Sequence, residues 1–134
     1  MLITGGSSGL GKELARILLE RGAMVTIAAR RIIQLEEAQR ELEASANAPK
    51  GTAGRIRIIS VDVTDPASCL ALIGRAEEAQ GQAIDCLFCC AGAATPGFFH
   101  EQSPRVLADQ INLNYLGAVN CIHVRLPLPL QDQR

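Results

Sequence analysis

LITGGSSGLGKEL, residues Leu2–Leu14, sets an apolar stub against a glycine-rich turn and the start of an amphipathic helix. Two nucleotide-binding loops can be laid over it. Read from Gly6, GSSGLGK has the G-x-x-x-x-G-K spacing of a loop that cradles nucleoside triphosphates. Read from Thr4, TGGSSGLG has the T-G-x-x-x-G-x-G spacing of a dinucleotide-binding turn. A triphosphate loop needs a hydroxyl after its lysine to hold Mg²⁺. Here that position is Glu13, whose carboxylate opposes the triphosphate's charge. The dinucleotide reading meets no such obstacle. Gly5 permits the sharp turn, Gly9 lets backbone approach a pyrophosphate, and Gly11 lets the helix pack closely on the strand. Ser7 and Ser8 add hydroxyl donors to the same anion. A tight β–α turn without a ligand is the bland alternative.

Working outward, four short apolar stretches read as strands: Met1–Thr4, Met24–Ala29, Arg57–Val61 and Ile84–Cys89. Continuous rather than alternating apolar positions suit parallel strands covered on both faces. Helical patterns lie between them. The first spans Leu10–Arg21, with Leu10, Leu14, Ile17 and Leu18 as its apolar stripe and Gly22 as its stop. The second, around Gln34–Ala44, carries Leu35, Ala38 and Leu42. The third, about Ala67–Gln80, follows the cap and first-turn pair Asp65-Pro66. A fourth begins at Ser103-Pro104 and continues past Tyr115. Residues Ala46–Arg55 read as an exposed connection, and 125–134 as an irregular tail after a domain of 1–124. This alternation predicts an α/β fold, a doubly wound parallel sheet with right-handed crossovers. The expected strand order is 3-2-1-4, the N-terminal half of such a sheet, with ligands beyond the carboxyl ends of the strands.

Composition narrows the partners. The chain has 134 residues and a net charge of −1, room for one core with no general attraction to nucleic acid or anionic membrane. Three Phe, one Tyr and no Trp leave no stacking platform for bases. The five cysteines include one C-x-x-C spacing, Cys86 and Cys89, with no second Cys or His pair to complete a zinc site, so no metal site is expected; they read as buried, reduced thiols. The adjacent Cys89 and Cys90 should point to opposite faces of their strand. No apolar run approaches the roughly 20 residues that span a bilayer, and a soluble or cytosol-facing chain is expected.

The end of the second strand decides between cofactors. NAD-selective sites place an acidic residue there against the ribose 2′-hydroxyl. This chain gives Ala29-Arg30-Arg31. Two guanidinium groups suit a 2′-phosphate, which favours NADP(H) over NAD(H). A solvated basic pair at a helix entry is the alternative.

TGGSSGLG, SVDVTD, CCAG and NLNYLG, in that order and spacing, resemble the short-chain dehydrogenase/reductase superfamily and its Rossmann fold, from Leu2 to about Val124. Within it the chain looks most like the 3-ketodihydrosphingosine (3-dehydrosphinganine) reductases. The resemblance implies an NADPH-dependent reduction of a lipid ketone at the cytosolic face of the endoplasmic reticulum; a free 134-residue chain would be cytoplasmic. It also implies roles for matching positions. Gly5, Ser7, Ser8 and Gly9 would contact the cofactor with Leu10 backing it. Arg30 and Arg31 would take the 2′-phosphate, and Asp62 the adenine amino group unless it merely caps a turn. Ala91 and Gly92 would line the nicotinamide-ribose side. Asn114 matches the asparagine that helps hold a water near the active-site lysine, a supporting catalytic role.

Two departures stand out. Many relatives carry Asn-Asn-Ala-Gly where this chain has Cys89-Cys90-Ala91-Gly92. The family's proton donor is a Tyr with a Lys four residues on, aided by a Ser. Here Val119 stands four residues after Tyr115, the only Tyr, and Lys12 and Lys50 are the only lysines. The expectation is therefore a chain that holds the cofactor and does not catalyse. Its ending reads as a truncation, splice end or gene-model error. An open fourth strand would leave it marginally stable alone and give a homo- or heterodimer a docking edge. The alternatives are another short-chain ketone or alcohol oxidoreductase, and a non-catalytic nucleotide-binding or interaction fragment.

Overall fold

The computed structural model describes residues 1–45 and 55–124. Most of the expected connection Ala46–Arg55, Lys50 included, and the tail 125–134 lie outside the described residues. Four strands, β1 (Leu2–Thr4), β2 (Val25–Ala29), β3 (Ile56–Ser60) and β4 (Leu87–Cys89), form one parallel sheet in the order β3-β2-β1-β4. This is the N-terminal half of a doubly wound sheet, as the alternating pattern predicts. Helices α1 (Gly9–Glu20), α2 (Ile32–Glu43) and α3 (Pro66–Gln80) provide the crossovers.

Alternation along each strand splits the core into two layers. Ile3, Val25, Ile27 and Ile56 meet Ala15 and Leu19 of α1 and Leu35, Ala38 and Leu42 of α2. On the opposite face Leu2, Ala28 and Ile59 meet Cys69, Leu72, Ile73 and Ala76 of α3. All three residues of β1 are buried, because strands flank it on both sides and helices cover both faces.

Helix ends follow their signals. Gly22, at φ 83°, closes α1 with its N–H on the Leu19 carbonyl at 2.9 Å, and the Ala23 N–H reaches the Leu18 carbonyl at 3.0 Å. Asp65 Oδ1 accepts from the Ala67 N–H at 3.0 Å to start α3, with Pro66 in its first turn.

Four expectations change. The buried stripe of α1 is Gly11, Ala15 and Leu19, flanked by the partly buried Leu14 and Leu18; Leu10 is 79% exposed. The glycine turn sets the helix so that Gly11 faces inward against the turn and Leu10 points outward. β4 starts at Leu87, not Ile84, because the three residues of β1 offer register only to Leu87–Cys89. Ahead of it, the Ile84 N–H donates to the Glu77 carboxylate at 3.1 Å instead of joining a ladder. The fourth helix is not uniform. α4 (Pro104–Ile111) passes through a π-turn (Asn112–Leu116) into α5 (Gly117–His123), with the Gly117 N–H on the Asn112 carbonyl. Finally, only Cys69 and Cys121 are buried; Cys86 and Cys89 are exposed and Cys90 is half-buried. Cys89 and Cys90 do face opposite layers, Cys90 packing with the Ile3 side.

Candidate dinucleotide site

A cleft of about 320 Å³ opens beyond the carboxyl ends of β1, β2 and β4. It is built first from the glycine turn. Gly5 sits at φ 70°, and a Cβ there would lie 2.6 Å from the backbone of Cys90 and Ala91. The N–H groups of Gly5 and Gly6 both reach the Ala28 carbonyl, at 2.7 and 3.3 Å, which ties the turn to the end of β2. A Cβ on Gly11 would lie 2.4 Å from the Gly5 carbonyl oxygen, so this glycine lets α1 close on its own turn more than on the strand. Gly9, at φ 54°, has nothing within 4 Å of its Cβ position. That open space faces the cleft.

The helix start suits an anion. Ser8 occupies the N-cap in an extended conformation without spending its hydroxyl on the first-turn amides, and no acidic side chain sits in that turn. The positive end of the helix dipole and its amide donors therefore remain open to a phosphate group. Ser7, Ser8, Gly9 and the exposed Leu10 line this wall. Lys12 does not. Its ammonium pairs with Glu41 of α2 at 2.6 Å, and Glu13 is engaged with Arg16. A triphosphate reading would need the Lys12 ammonium turned toward the loop and a hydroxyl in place of Glu13.

Arg30 and Arg31 form the far wall at the entry to α2. Both are exposed, and among the described residues neither makes an ion pair. Both line one end of the cleft. The opposite wall comes from β4, where Ala91 and Gly92 follow the strand.

Asp62 stands apart. Val61 and Val63 line the cleft, whereas Asp62 Oδ1 accepts from the Thr64 N–H at 2.9 Å and the Thr64 hydroxyl at 2.7 Å. The Thr64 hydroxyl, then its N–H, with the nearby Arg30 charge, hold this carboxyl below the ordinary carboxylate range. Its turn-closing role is thus on display. A depressed folded-state pKa contributes stability above the unfolded value; that stability is lost as pH falls through the folded value. Asp62→Asn should therefore flatten the loss of unfolding free energy between pH 5 and acid, by about 1 kcal/mol or less, as read from urea melts at stepped pH.

Asn114 also lies outside the cleft wall, and its side chain is occupied. Oδ1 accepts from the Ala93 N–H at 2.9 Å and Nδ2 donates to the Ala93 carbonyl at 2.8 Å. It clasps the segment that carries Ala91 and Gly92, and Gly92 leaves room for it, since a Cβ there would sit 2.8 Å from Oδ1. Asn114→Ala should cost about 1–2 kcal/mol and raise hydrogen exchange at the Ala93 amide.

Several residues were not foreseen. Gly6 is buried because a Cβ would strike Ile27 at 2.6 Å, a contact set by the strand pairing and absent from any local pattern. Gln34, Cys90, Ala93 and Leu113 complete the cleft. Gln34 lies one helical turn beyond the arginine pair, which is the only sequence signal among these. On the β3 side, Asn120 Nδ2 donates to the Val63 carbonyl at 2.9 Å, and Gly117 lets α5 approach Val63 closely. The helix through the π-turn thus holds both the β3 exit and the β4 exit. Among the described residues there is no cluster of metal ligands and no helix long and apolar enough to cross a membrane.

Comparison with known proteins agrees with this geometry. The sequence matches the short chain dehydrogenase family over residues 1–134. It is 38% identical to a 3-ketodihydrosphingosine reductase of Aspergillus fumigatus, over 99% of this chain and 37% of that protein. A 3-ketodihydrosphingosine reductase of Cryptococcus neoformans is 40% identical over 98% of this chain and 38% of its own length. The chain therefore spans little more than a third of these curated relatives. The structure superposes on a short chain dehydrogenase from Bacillus anthracis with a TM-score of 0.79 at 29% identity, covering 92% of this chain and 47% of that one. An actinorhodin polyketide ketoreductase solved with NADPH gives a TM-score of 0.78 at 27% identity over 92% of this chain and 43% of that one. The glycine turn, the sheet order and these matches converge, and the chain belongs to the short-chain dehydrogenase/reductase family.

Proposed function

We propose that these residues form the cofactor-binding part of an NADPH-dependent ketone reductase whose substrate class is 3-ketodihydrosphingosine, reduced to dihydrosphingosine. The relatives' names support the substrate and, through it, a place at the cytosolic face of the endoplasmic reticulum in sphingolipid synthesis. The observation that carries the cofactor is the cleft itself: an open Gly9, an uncapped helix start and two arginines that make no ion pair among the described residues, in one wall system.

NADPH, when bound, supplies the hydride. The chain's own residues bind and orient it. The first-turn amides of α1 with Ser7 and Ser8 would hold the pyrophosphate, and Arg30 and Arg31 the 2′-phosphate. Val61 and Val63 offer apolar walls toward the adenine, with Asp62 at their rim. Ala91 and Gly92, held by the Asn114 clasp, would back the nicotinamide ribose.

Ketone reduction also needs a proton for the developing alkoxide. Tyr115 is 66% exposed and is followed four residues on by Val119, and Lys12 is committed to Glu41. No Tyr-x-x-x-Lys spacing occurs in these 134 residues. The chain alone is accordingly proposed to bind NADPH without oxidising it. Mixing purified chain, NADPH and the keto-sphingoid base should leave the nicotinamide absorbance unchanged; steady oxidation dependent on the ketone would refute the inactivity.

A further inference from the structure

Between the last residue of β2 and the first of α2 stand only Arg30 and Arg31. Their backbone sets where both guanidinium groups leave the chain. Three successive carbonyls are held there by three different kinds of donor. The Ala29 carbonyl takes the Val61 N–H at 3.0 Å, one rung past the last paired residues, Ala29 and Ser60. The Arg31 carbonyl takes the Leu35 N–H at 3.2 Å, which opens the α2 ladder. The Arg30 carbonyl lies between them, beyond the sheet and ahead of the helix, and takes the Ser60 hydroxyl at 3.0 Å. Ser60 is held in turn from α3, where Arg75 Nη1 donates to its carbonyl at 3.3 Å.

We propose that Ser60 is a positioning residue of the dinucleotide site, whose hydroxyl fixes the Arg30 backbone so that the arginine pair stands ready for a 2′-phosphate. The role rests on the cleft taking NADPH, as proposed above. Ser60 does not line the cleft, whereas Arg30 and Arg31 do. It therefore acts through Arg30 and not by touching the dinucleotide.

The effect falls on the cofactor more than on the fold. The Ser60–Arg30 hydrogen bond is exposed, so water can take the place of the hydroxyl at the carbonyl and little stability is lost. A looser two-residue link, however, has to be ordered when the phosphate binds, and that ordering weakens binding. NADH carries no 2′-phosphate and makes no demand on the arginine pair, so the loss is confined to NADPH. A short hydroxyl side chain suits the place. Its proton rotates freely toward an acceptor on the neighbouring strand, and Ala in its place leaves the Arg30 carbonyl to solvent.

The test titrates the whole 134-residue chain with NADPH and with NADH, unsubstituted and as Ser60→Ala and Ser60→Thr, with Ser60→Ala repeated in an Arg30→Ala background. Ser60→Ala should weaken NADPH about three- to tenfold and leave NADH unchanged. Ser60→Thr keeps the hydroxyl and should restore the NADPH affinity. In the Arg30→Ala background Ser60→Ala should add nothing, because the two residues act as one unit. Unchanged NADPH affinity in Ser60→Ala, equal weakening of both dinucleotides, or the same loss without Arg30 overturns the proposal. A second readout needs no cofactor: the carbonyl-carbon NMR resonance of Arg30 should move in Ser60→Ala and return in Ser60→Thr. NADPH binding with an unmoved Arg30 resonance overturns the positioning role alone. An unsubstituted chain that binds no NADPH overturns the cofactor assignment, and this role with it.

Discussion

Gly5→Ala is expected to be the most damaging single substitution in the turn, costing about 3–5 kcal/mol in unfolding free energy. Two terms add. The residue sits at φ 70°, where an L side chain costs about 1–2 kcal/mol. Its Cβ would also lie 2.6 Å from the Cys90 carbonyl and the Ala91 amide. These are backbone atoms at the exit of β4, whose partner strand is β1, so relief means separating two paired strands. Globular domains hold only about 5–15 kcal/mol in total, and the variant should populate unfolded chain at room temperature. Gly9→Ala is the matched control. It shares a positive φ, 54°, but its Cβ meets nothing within 4 Å, so only the backbone term of about 1–2 kcal/mol remains. Urea melts should place the Gly5 variant well below the Gly9 variant with similar slopes. Equal midpoints would mean that the strand exit does not press on the turn as described.

The second large effect falls on the cofactor. Arg30→Ala should weaken NADPH by about ten- to a hundredfold, about 1.5–3 kcal/mol for a lost charge-assisted hydrogen bond at 1.4 kcal/mol per tenfold. NADH, which lacks the 2′-phosphate, should be unaffected, so the change is one of preference. Arg31→Ala tests the second guanidinium. Both side chains are exposed, so neither substitution should alter stability appreciably. Raising salt should erode NADPH affinity more than NADH affinity, because exposed charge pairs are screened.

Much of this was legible in the sequence because local rules and tertiary structure agreed. The glycine spacing gave the turn, Asp65-Pro66 and Gly22 gave helix ends, and apolar runs between them gave a parallel sheet. Nine of the ten cofactor-contacting positions read from motif and resemblance line the cleft, from Gly5 to Gly92. What escaped depends on pairing between distant segments. Leu10 continues an apolar stripe by spacing, yet the turn rotates it outward. The π-turn at Asn112–Leu116 contains neither Gly nor Pro to announce it. Asp62, expected at the adenine or as a turn cap, gives its Oδ1 to Thr64, as the turn-cap reading anticipates. Cys89 looked like a core residue because its neighbours are apolar; β4 is short and has one partner strand among the described residues, which leaves its end exposed.

Among the described residues β4 pairs on one side only. Ile111, Tyr115, Leu116, Val119 and Ile122 are all exposed along the α4–α5 helix. An exposed apolar helix face of this kind is a contact surface for further protein.

The central claim is that this cleft selects a phosphorylated dinucleotide. Equilibrium titration of the folded chain with NADPH and with NADH, at one salt concentration, tests it most directly. Saturable NADPH binding, about tenfold or more tighter than NADH and reduced to the NADH level in the Arg30→Ala, Arg31→Ala double variant, is the predicted result. Absence of NADPH binding by folded chain, or equal affinity for both dinucleotides, would contradict it.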